Sequence, residues 1–331
     1  MTELECNLPI NACCGPRSSA FKVEEFANDY LNLALSVPPA ATHIHNELQS
    51  KLVNIPGGFF DMGARSSTFP DDFDSPRRKV KVSSFQISPT CVTNAEFANF
   101  VAATGYRTVA EHEGWSFVFY LLLRKEESWP ISPPGLPWWR KVEGAFWGAP
   151  EGDGSSWLCK SDHPAVHISW FDAIAYCTWS GLRLPWEAQW ERAARGGLSR
   201  QKFPWGNSIM PDGCHAMNTW QGVFPETNSA EDGFFGTAPV TSFKPNAFGL
   251  WNMTGNVWEW VGDYFGQPPV FTKLPLINPH GPETGQWRVQ RGGSFLCHES
   301  YCDRYHVYSR TRNDPDSSTS NSGFRVAYSN N

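Results

Sequence analysis

The chain has 331 residues, 40% of them hydrophobic and 18% charged, with a formal net charge of −6. That length supports a large core, in one big domain or two small ones. There is no run of lysine or arginine to bind nucleic acid, and the longest apolar stretches, such as 117–123, fall far short of a membrane span.

In chain order, residues 1–50 read as an N-terminal extension, a short helix and a linker, ahead of a domain over 51–331. No charged and then apolar leader is legible at the start, so no secretory signal is expected. Phe26, Tyr30, Leu31, Leu33, Ala34 and Leu35 predict an amphipathic helix within 21–36, before Pro38-Pro39. His43, His45 and Glu47 read as surface residues of the linker. From about Leu52 the chain is rich in turn formers, with 28 glycines and 26 prolines in all, and it carries 16 tryptophans. Strands are expected at 79–87, 165–168 and 288–291. Thr93 and Glu96 form a capping box that predicts a helix over 93–103. A second helix is predicted over 171–181, after Ser169 and ending at a glycine, and a third over 185–194 with proline in its first turn. No repeat or heptad is present.

Near the C-terminus stands Gly292-Gly293-Ser294-Phe295-Leu296-Cys297-His298-Glu299-Ser300-Tyr301-Cys302-Asp303-Arg304-Tyr305. Two cysteines in this polar, aromatic setting can form a disulfide, a redox pair or a soft-metal site, since thiolate pairs favour Cu(I) and Zn(II). Asn252-Met253-Thr254-Gly255-Asn256-Val257-Trp258-Glu259 offers hard oxygens of the kind calcium takes, although asparagine and glycine are also ordinary turn formers. Nine cysteines without regular spacing argue against a disulfide framework. Most of the tryptophans, Trp138, Trp139, Trp147 and Trp260 among them, are expected in the core.

The C-terminal block, continued by Asn313-Asp314-Pro315-Asp316-Ser317-Ser318-Thr319-Ser320-Asn321-Ser322-Gly323-Phe324-Arg325, resembles the active-site end of the formylglycine-generating enzymes. The resemblance runs over about residues 50–328. It includes Pro56-Gly57-Gly58-Phe59, Pro89-Thr90-Cys91-Val92-Thr93-Asn94, His163-Pro164-Ala165-Val166-His167, Arg183-Leu184-Pro185-Trp186-Glu187 and Gly249-Leu250-Trp251-Asn252. Those blocks mark the wider sulfatase-modifying-factor superfamily. The cysteine pair and the 313–324 stretch point to the oxidase itself.

The resemblance implies an α+β fold with low regular secondary structure, related to C-type lectins. It implies oxidation of a peptidyl cysteine in a Cys-x-Pro-x-Arg motif of an unfolded sulfatase to Cα-formylglycine, with O₂ as oxidant. Cu(I) would lie between Cys297 and Cys302. Ser294 and Tyr301 match catalytic positions; Trp258, Arg304, Ser318 and Asn321 match substrate-binding positions. Two structural calcium sites are implied, one of Asn252, Gly255, Val257 and Glu259, the other of Asn218, Thr219, Asp232 and Phe234. Of the four positions that carry structural disulfides in secretory-pathway members, only Cys177 is a cysteine; Ala194, Val307 and Val326 fill the rest. A reducing, cytoplasmic setting and a monomer are expected. Glu299 and Asp303 add negative charge where the family commonly has basic and aromatic residues. Cys14-Gly15-Pro16-Arg17 has the cysteine and proline of the target motif, with the arginine one residue early. Two alternative readings remain: a copper oxidase of another cysteine-containing substrate, and a non-catalytic ligand-binding member of the superfamily. The cysteine pair discriminates against the second.

Overall fold

A computed structural model describes residues 15–20, 27–269 and 274–329. Two helices come first, α1 (Ala27–Leu35) and α2 (Thr42–Ser50). Residues 42–50 of the predicted linker are therefore helical. Ala34 and Val37 are buried in the main core, Tyr30 lies 6.1 Å from Phe171, and His45 Nε2 lies 2.8 Å from the Trp179 carbonyl oxygen. The alternation of apolar residues in α1 is what docks it, because a short helix gains its stability from packing.

Short strands follow: β1 (Val53–Ile55), β2 (Gly58–Met62), β3 (Arg78–Val82) and β4 (Phe85–Ile87). The strand expected over 79–87 is thus two. β3 pairs with β2, whereas β4 pairs with β1 and with β14 (Ala327–Tyr328), so the chain changes sheets at Ser83-Ser84. The capping box at Thr93 opens α3 (Asn94–Thr104), and a second at Thr108 opens α4 (Val109–Glu113). β5 (Trp115–Phe119) and β6 (Trp139–Glu143) form an antiparallel pair. Residues 165–168 form no strand. His167 has φ of +59°, which breaks an extended run; the Ala165 amide donates to Val92 and the His167 amide to Thr319.

The helix α5 (Trp170–Ser180) starts at the Ser169 cap and ends at Gly181, as the sequence indicates. The third expected helix is α6 (Glu187–Ala194), in which Pro185 precedes the Trp186 cap instead of sitting in the first turn. The small hairpin β7 (Gly222–Val223) and β8 (Thr227–Asn228) precedes β9 (Trp258–Tyr264). β10 (Leu276–Ile277) adds to β3, and β11 (Arg288–Arg291), β12 (Arg310–Asn313) and β13 (Ser322–Phe324) complete the largest sheet, in the order β12-β11-β9-β13. Most of β9 is buried without alternation, which marks a strand covered on both faces.

The fold is α+β with little regular secondary structure, and aromatic packing fixes the loops. Phe97, Phe100, Tyr176, Trp179 and Phe324 meet in one core between α3, α5 and β13. Ala194 and Val307 share a second core, while Cys177 and Val326 share the first; all four are buried. Trp138, Trp139, Trp147 and Trp260 are buried, as expected, and Trp258, which the resemblance places at the substrate cleft, is buried with them. Among the described residues no helix is long and apolar enough to cross a membrane.

Candidate active site

The strand β11 delivers the chain into Gly292 and Gly293, both with positive φ. A Cβ on Gly293 would stand 2.9 Å from the Arg304 carbonyl oxygen, so glycine lets the segment fold back on itself. Beyond it, the His298 carbonyl accepts from the Tyr301 amide at 3.0 Å and the Cys302 amide at 2.8 Å. This turn takes up the four residues between the cysteines and brings Cys297 Sγ to 3.0 Å from Cys302 Sγ. Both side chains are buried, among Phe203, Met217, Trp258 and Tyr305, with Tyr301 and Trp205 packed against them.

Burial pushes the Cys297 thiol up to about 12; the Ser294 amide, 3.3 Å from its sulfur, and the positive charge of Arg304 pull the other way. Cys302 is not a free thiol in this structure. It is disulfide-bonded, whereas Cys91, Cys159, Cys177, Cys214 and Cys297 are free. The donor set suits a soft metal once both sulfurs are reduced. At 3.0 Å the sulfurs are closer than two metal–sulfur bonds of about 2.3 Å in a line would place them, so the pair must open to take an ion between.

A polar chain leads away from the sulfurs. Asn321 Nδ2 donates to Ser294 Oγ at 3.0 Å, and Thr319 Oγ1 donates to Asn321 Oδ1 at 2.7 Å. The Trp258 amide donates to the Asn321 carbonyl at 2.8 Å, which ties β9 to the same loop. Tyr301 stacks on Phe224 with ring centroids 4.4 Å apart and meets Trp138 edge-on. Ser294, Cys297, Cys302, Tyr301, Trp258 and Asn321 are therefore gathered at one place. Ser318 and Arg304 are engaged elsewhere. Ser318 Oγ lies 2.8 Å from Ser116 Oγ, which in turn is 2.7 Å from His167 Nδ1. The Arg304 guanidinium binds the Asp72 carboxylate and lies 3.6 Å from the centroid of the Phe69 ring. Thr319 was not singled out in the sequence; it lay inside the polar 313–323 run, where the side-chain order alone does not say which hydroxyls turn inward.

Glu299 and Asp303 flank the site. Glu299, His298 and Tyr305 line a cleft of about 270 Å³ that also reaches Met217, Trp220 and Glu231. No group of three or more His, Cys, Asp or Glu side chains with the spacing of a metal site is present among the described residues, His43, His45 and Glu47 included.

The two calcium sets differ. Asn218 Oδ1 is buried and has no hydrogen-bond partner, and Asp232 supplies a carboxylate bonded to the Thr219 and Phe234 amides at 3.0 and 2.9 Å. The orphaned Asn218 oxygen is of the kind a hard cation takes, but the Gln221 side-chain amide donates to the Thr219 carbonyl and, at 3.0 Å, to the Asp232 carboxylate, so a cation there has to displace it. Glu259 is committed instead. Its oxygens accept from Arg325 at 2.6 and 2.7 Å and from Trp190 Nε1 at 2.7 Å. A guanidinium in that position opposes a divalent cation, so the Asn252, Gly255, Val257 and Glu259 set does not fit calcium as folded here.

Comparison with known proteins agrees with this geometry. Residues 40–330 match the model of the sulfatase-modifying factor enzyme 1-like domain. The formylglycine-generating enzyme of Thermomonospora curvata is 52% identical over 290 residues, covering 85% of this chain and 94% of that one. That of Bos taurus is 49% identical over 280 residues, covering 84% and 74%. Among solved structures, PvdO from Pseudomonas aeruginosa is 25% identical, with a TM-score of 0.60 over 83% of this chain and 93% of that chain. With its thiol pair, its Ser294–Asn321 link and this shared sequence, the chain belongs to the sulfatase-modifying-factor family that includes the formylglycine-generating enzymes.

Proposed function

We propose that this protein oxidises a peptidyl cysteine, within a Cys-x-Pro-x-Arg segment of an unfolded sulfatase, to Cα-formylglycine. The observation that carries the reading is the buried Cys297–Cys302 pair, 3.0 Å apart and joined through Ser294 to Asn321. The chemistry turns a –CH₂–SH group into –CHO. One O₂ takes four electrons and becomes two waters, two electrons coming from the substrate carbon, which becomes a thioaldehyde, and two from a pair of external thiols that leave as a disulfide; water then hydrolyses the thioaldehyde to the aldehyde and hydrogen sulfide. Cys297 and Cys302 would hold Cu(I), which would supply a soft site for sulfur and for O₂.

The protein's own residues do the rest. Burial keeps Cys297 protonated at neutral pH, so metal loading must release that proton. The Asn321 amide fixes the Ser294 hydroxyl, whose hydrogen bond to Cys297 favours the thiolate there. Phe203, Met217, Trp258 and Tyr305 exclude water from the sulfurs. Trp258, Arg304, Ser318 and Asn321 are the proposed peptide contacts, with Arg304 held in place by Asp72. Aerobic incubation of the reduced, Cu(I)-loaded enzyme with a Cys-x-Pro-x-Arg peptide, followed by mass spectrometry, tests this. Conversion to the aldehyde is expected, and it should vanish in Cys297→Ser and Cys302→Ser. Full turnover by the double Ser variant would refute the assignment. A peptide that stays unchanged, while another cysteine compound is consumed, would favour an oxidase of a different substrate.

A structural calcium at Asn218, Thr219, Asp232 and Phe234 belongs to the same reading. A ligand bound only by the folded state raises stability by mass action. Chelation should lower the melting temperature of the parent and leave Asn218→Ala unmoved; metal analysis should find one calcium per chain. Kinship with C-type lectins, a monomeric state and a reducing, cytoplasmic setting complete the proposal, the last supported by the absent structural cysteines.

A further inference from the structure

Nearly three hundred residues before the site, a short piece of the N-terminal extension lies on the loop that leads to the thiols. Gly15, Pro16 and Ser18 are buried there. The Pro16 carbonyl accepts from Ser317 Oγ at 2.8 Å and from Asn313 Nδ2 at 3.2 Å. The Ser19 amide donates to Asp314 Oδ2 at 3.0 Å, and the Ser18 hydroxyl binds the Asp316 carboxylate. The Arg17 guanidinium lies over the Trp287 ring, 4.8 Å from its centroid. Main-chain groups supply much of the binding and side chains add to it, with Ser18–Ala20 wound into a single 3-10 turn on the loop.

The loop under this segment is fixed from behind. The Trp170 amide bonds Pro315, the Ser320 amide bonds Phe117, and the Ser318 carbonyl accepts from the Phe117 amide. It also leads to the thiols. A Cβ on Gly15 would stand 3.8 Å from the Thr319 methyl, and from Thr319 the hydrogen bonds run through Asn321 and Ser294 to Cys297 Sγ. Cys14, one residue before Gly15, lies outside the described residues. In sequence, Cys14 and Pro16 have the Cys-x-Pro spacing of the target motif, and the motif's arginine would fall at position 18, where this chain has serine. Ser18 meets Asp316, a carboxylate that an arginine at that position would pair with.

We propose that the Gly15–Ser18 segment is an internal pseudo-substrate seated on the 313–317 loop, where it competes with incoming sulfatase polypeptide. The proposal rests on the peptide-oxidase reading above. A tethered segment acts at an effective concentration near the millimolar range, so it can hold the loop with modest intrinsic affinity. Serine at position 18 keeps that affinity modest, and a substrate with the full motif displaces it.

The test uses the full chain, without metal, and a labelled peptide in which serine replaces the target cysteine. Pro16→Asp places a third carboxylate against Asp314 and Asp316 and should expel the segment. The peptide should then bind about tenfold more tightly than to the parent, because the competing state no longer takes its share. Ser18→Arg, which completes the motif, should weaken peptide binding below that of the parent. Hydrogen exchange at the Ser19 amide gives a second readout: it should quicken in Pro16→Asp, and in the parent when peptide is added. Equal peptide affinity in all three proteins would overturn the pseudo-substrate alone. Peptide binding by none of them would overturn the peptide-oxidase reading and the pseudo-substrate together.

Discussion

At the residue scale, the site depends on a few fully buried polar groups. Asn321 is the clearest. Its amide donates to Ser294 and accepts from Thr319, and its carbonyl holds the Trp258 amide. Asn321→Ala keeps the backbone bond but takes the buried Thr319 hydroxyl's acceptor away and leaves Ser294 Oγ with the Leu296 amide. Leaving buried groups unsatisfied costs about 1–3 kcal/mol, and chemical denaturation should show a loss of that size. The Ser294 hydroxyl would also be free to turn, so kcat should fall more than KM rises. A variant as stable and as active as the parent would remove Asn321 from the site. The cysteines and their neighbours were readable in sequence because a contiguous motif carries them. Thr319, Asn313 and Ser317 were not, because their roles arise from contacts with β5 and with a segment almost three hundred residues away.

At the element scale, α6 is the strut that holds β11 and β12 behind the site. Glu187 pairs with Arg310 on β12 at 2.7 Å, and Glu191 binds Arg291 on β11 and Arg195, each at 2.6 Å. The Gly63 amide completes the Glu191 shell at 2.7 Å. Burial would push the Glu191 carboxyl up, but Arg195 and Arg291 beside it hold it below the usual carboxylate range. The folded state therefore binds this proton less readily than the unfolded chain does. The pair's contribution is present above the ordinary carboxylate pKa and is lost as pH falls through the lower folded value. Glu191→Gln should cost about 3–5 kcal/mol at neutral pH, since it leaves two guanidiniums buried beside an uncharged amide. It should also flatten the acid limb of stability against pH, and equal acid limbs would show that Glu191 carries no such charge. The helices α3 and α5 were legible because their caps are local, side chain to backbone within three residues. The strands were less so. Arg78, Val80 and Val82 face inward, and after Ser83-Ser84 the inward phase shifts to Phe85 and Ile87; a single strand over 79–87 overlooks that slip, which falls where the pairing partner changes. The 165–168 strand failed because a positive φ at His167 is a tertiary demand, imposed where its amide reaches Thr319.

At the scale of the whole molecule, stability is carried by packing and buried ion pairs, not by cross-links through the core. Cys177 is a free, buried thiol in the same core as Val326, and burial pushes its pKa up, which keeps it protonated and unreactive. Ala194 and Val307 lie together in the second core, fully buried. Small apolar side chains fill the space, so nothing in either core needs oxidation to form. The disulfide at Cys302 is in the site, away from both cores, and its reduction is a condition for metal loading. Two consequences of adding a strong reductant should therefore separate. The main thermal transition should not move, because the interactions that set it contain no disulfide. Peptide oxidation after copper loading should rise, because Cys302 becomes available as a thiolate. Calorimetry with and without reductant, beside turnover measured on the same samples, reads both. A large fall in melting temperature on reduction, with a mapped bridge to Cys177, would overturn the disulfide-free core and remove the support for a reducing compartment. Turnover that is indifferent to prior reduction would instead strike at Cys302 as a metal-binding thiol, and leave the account of the core untouched.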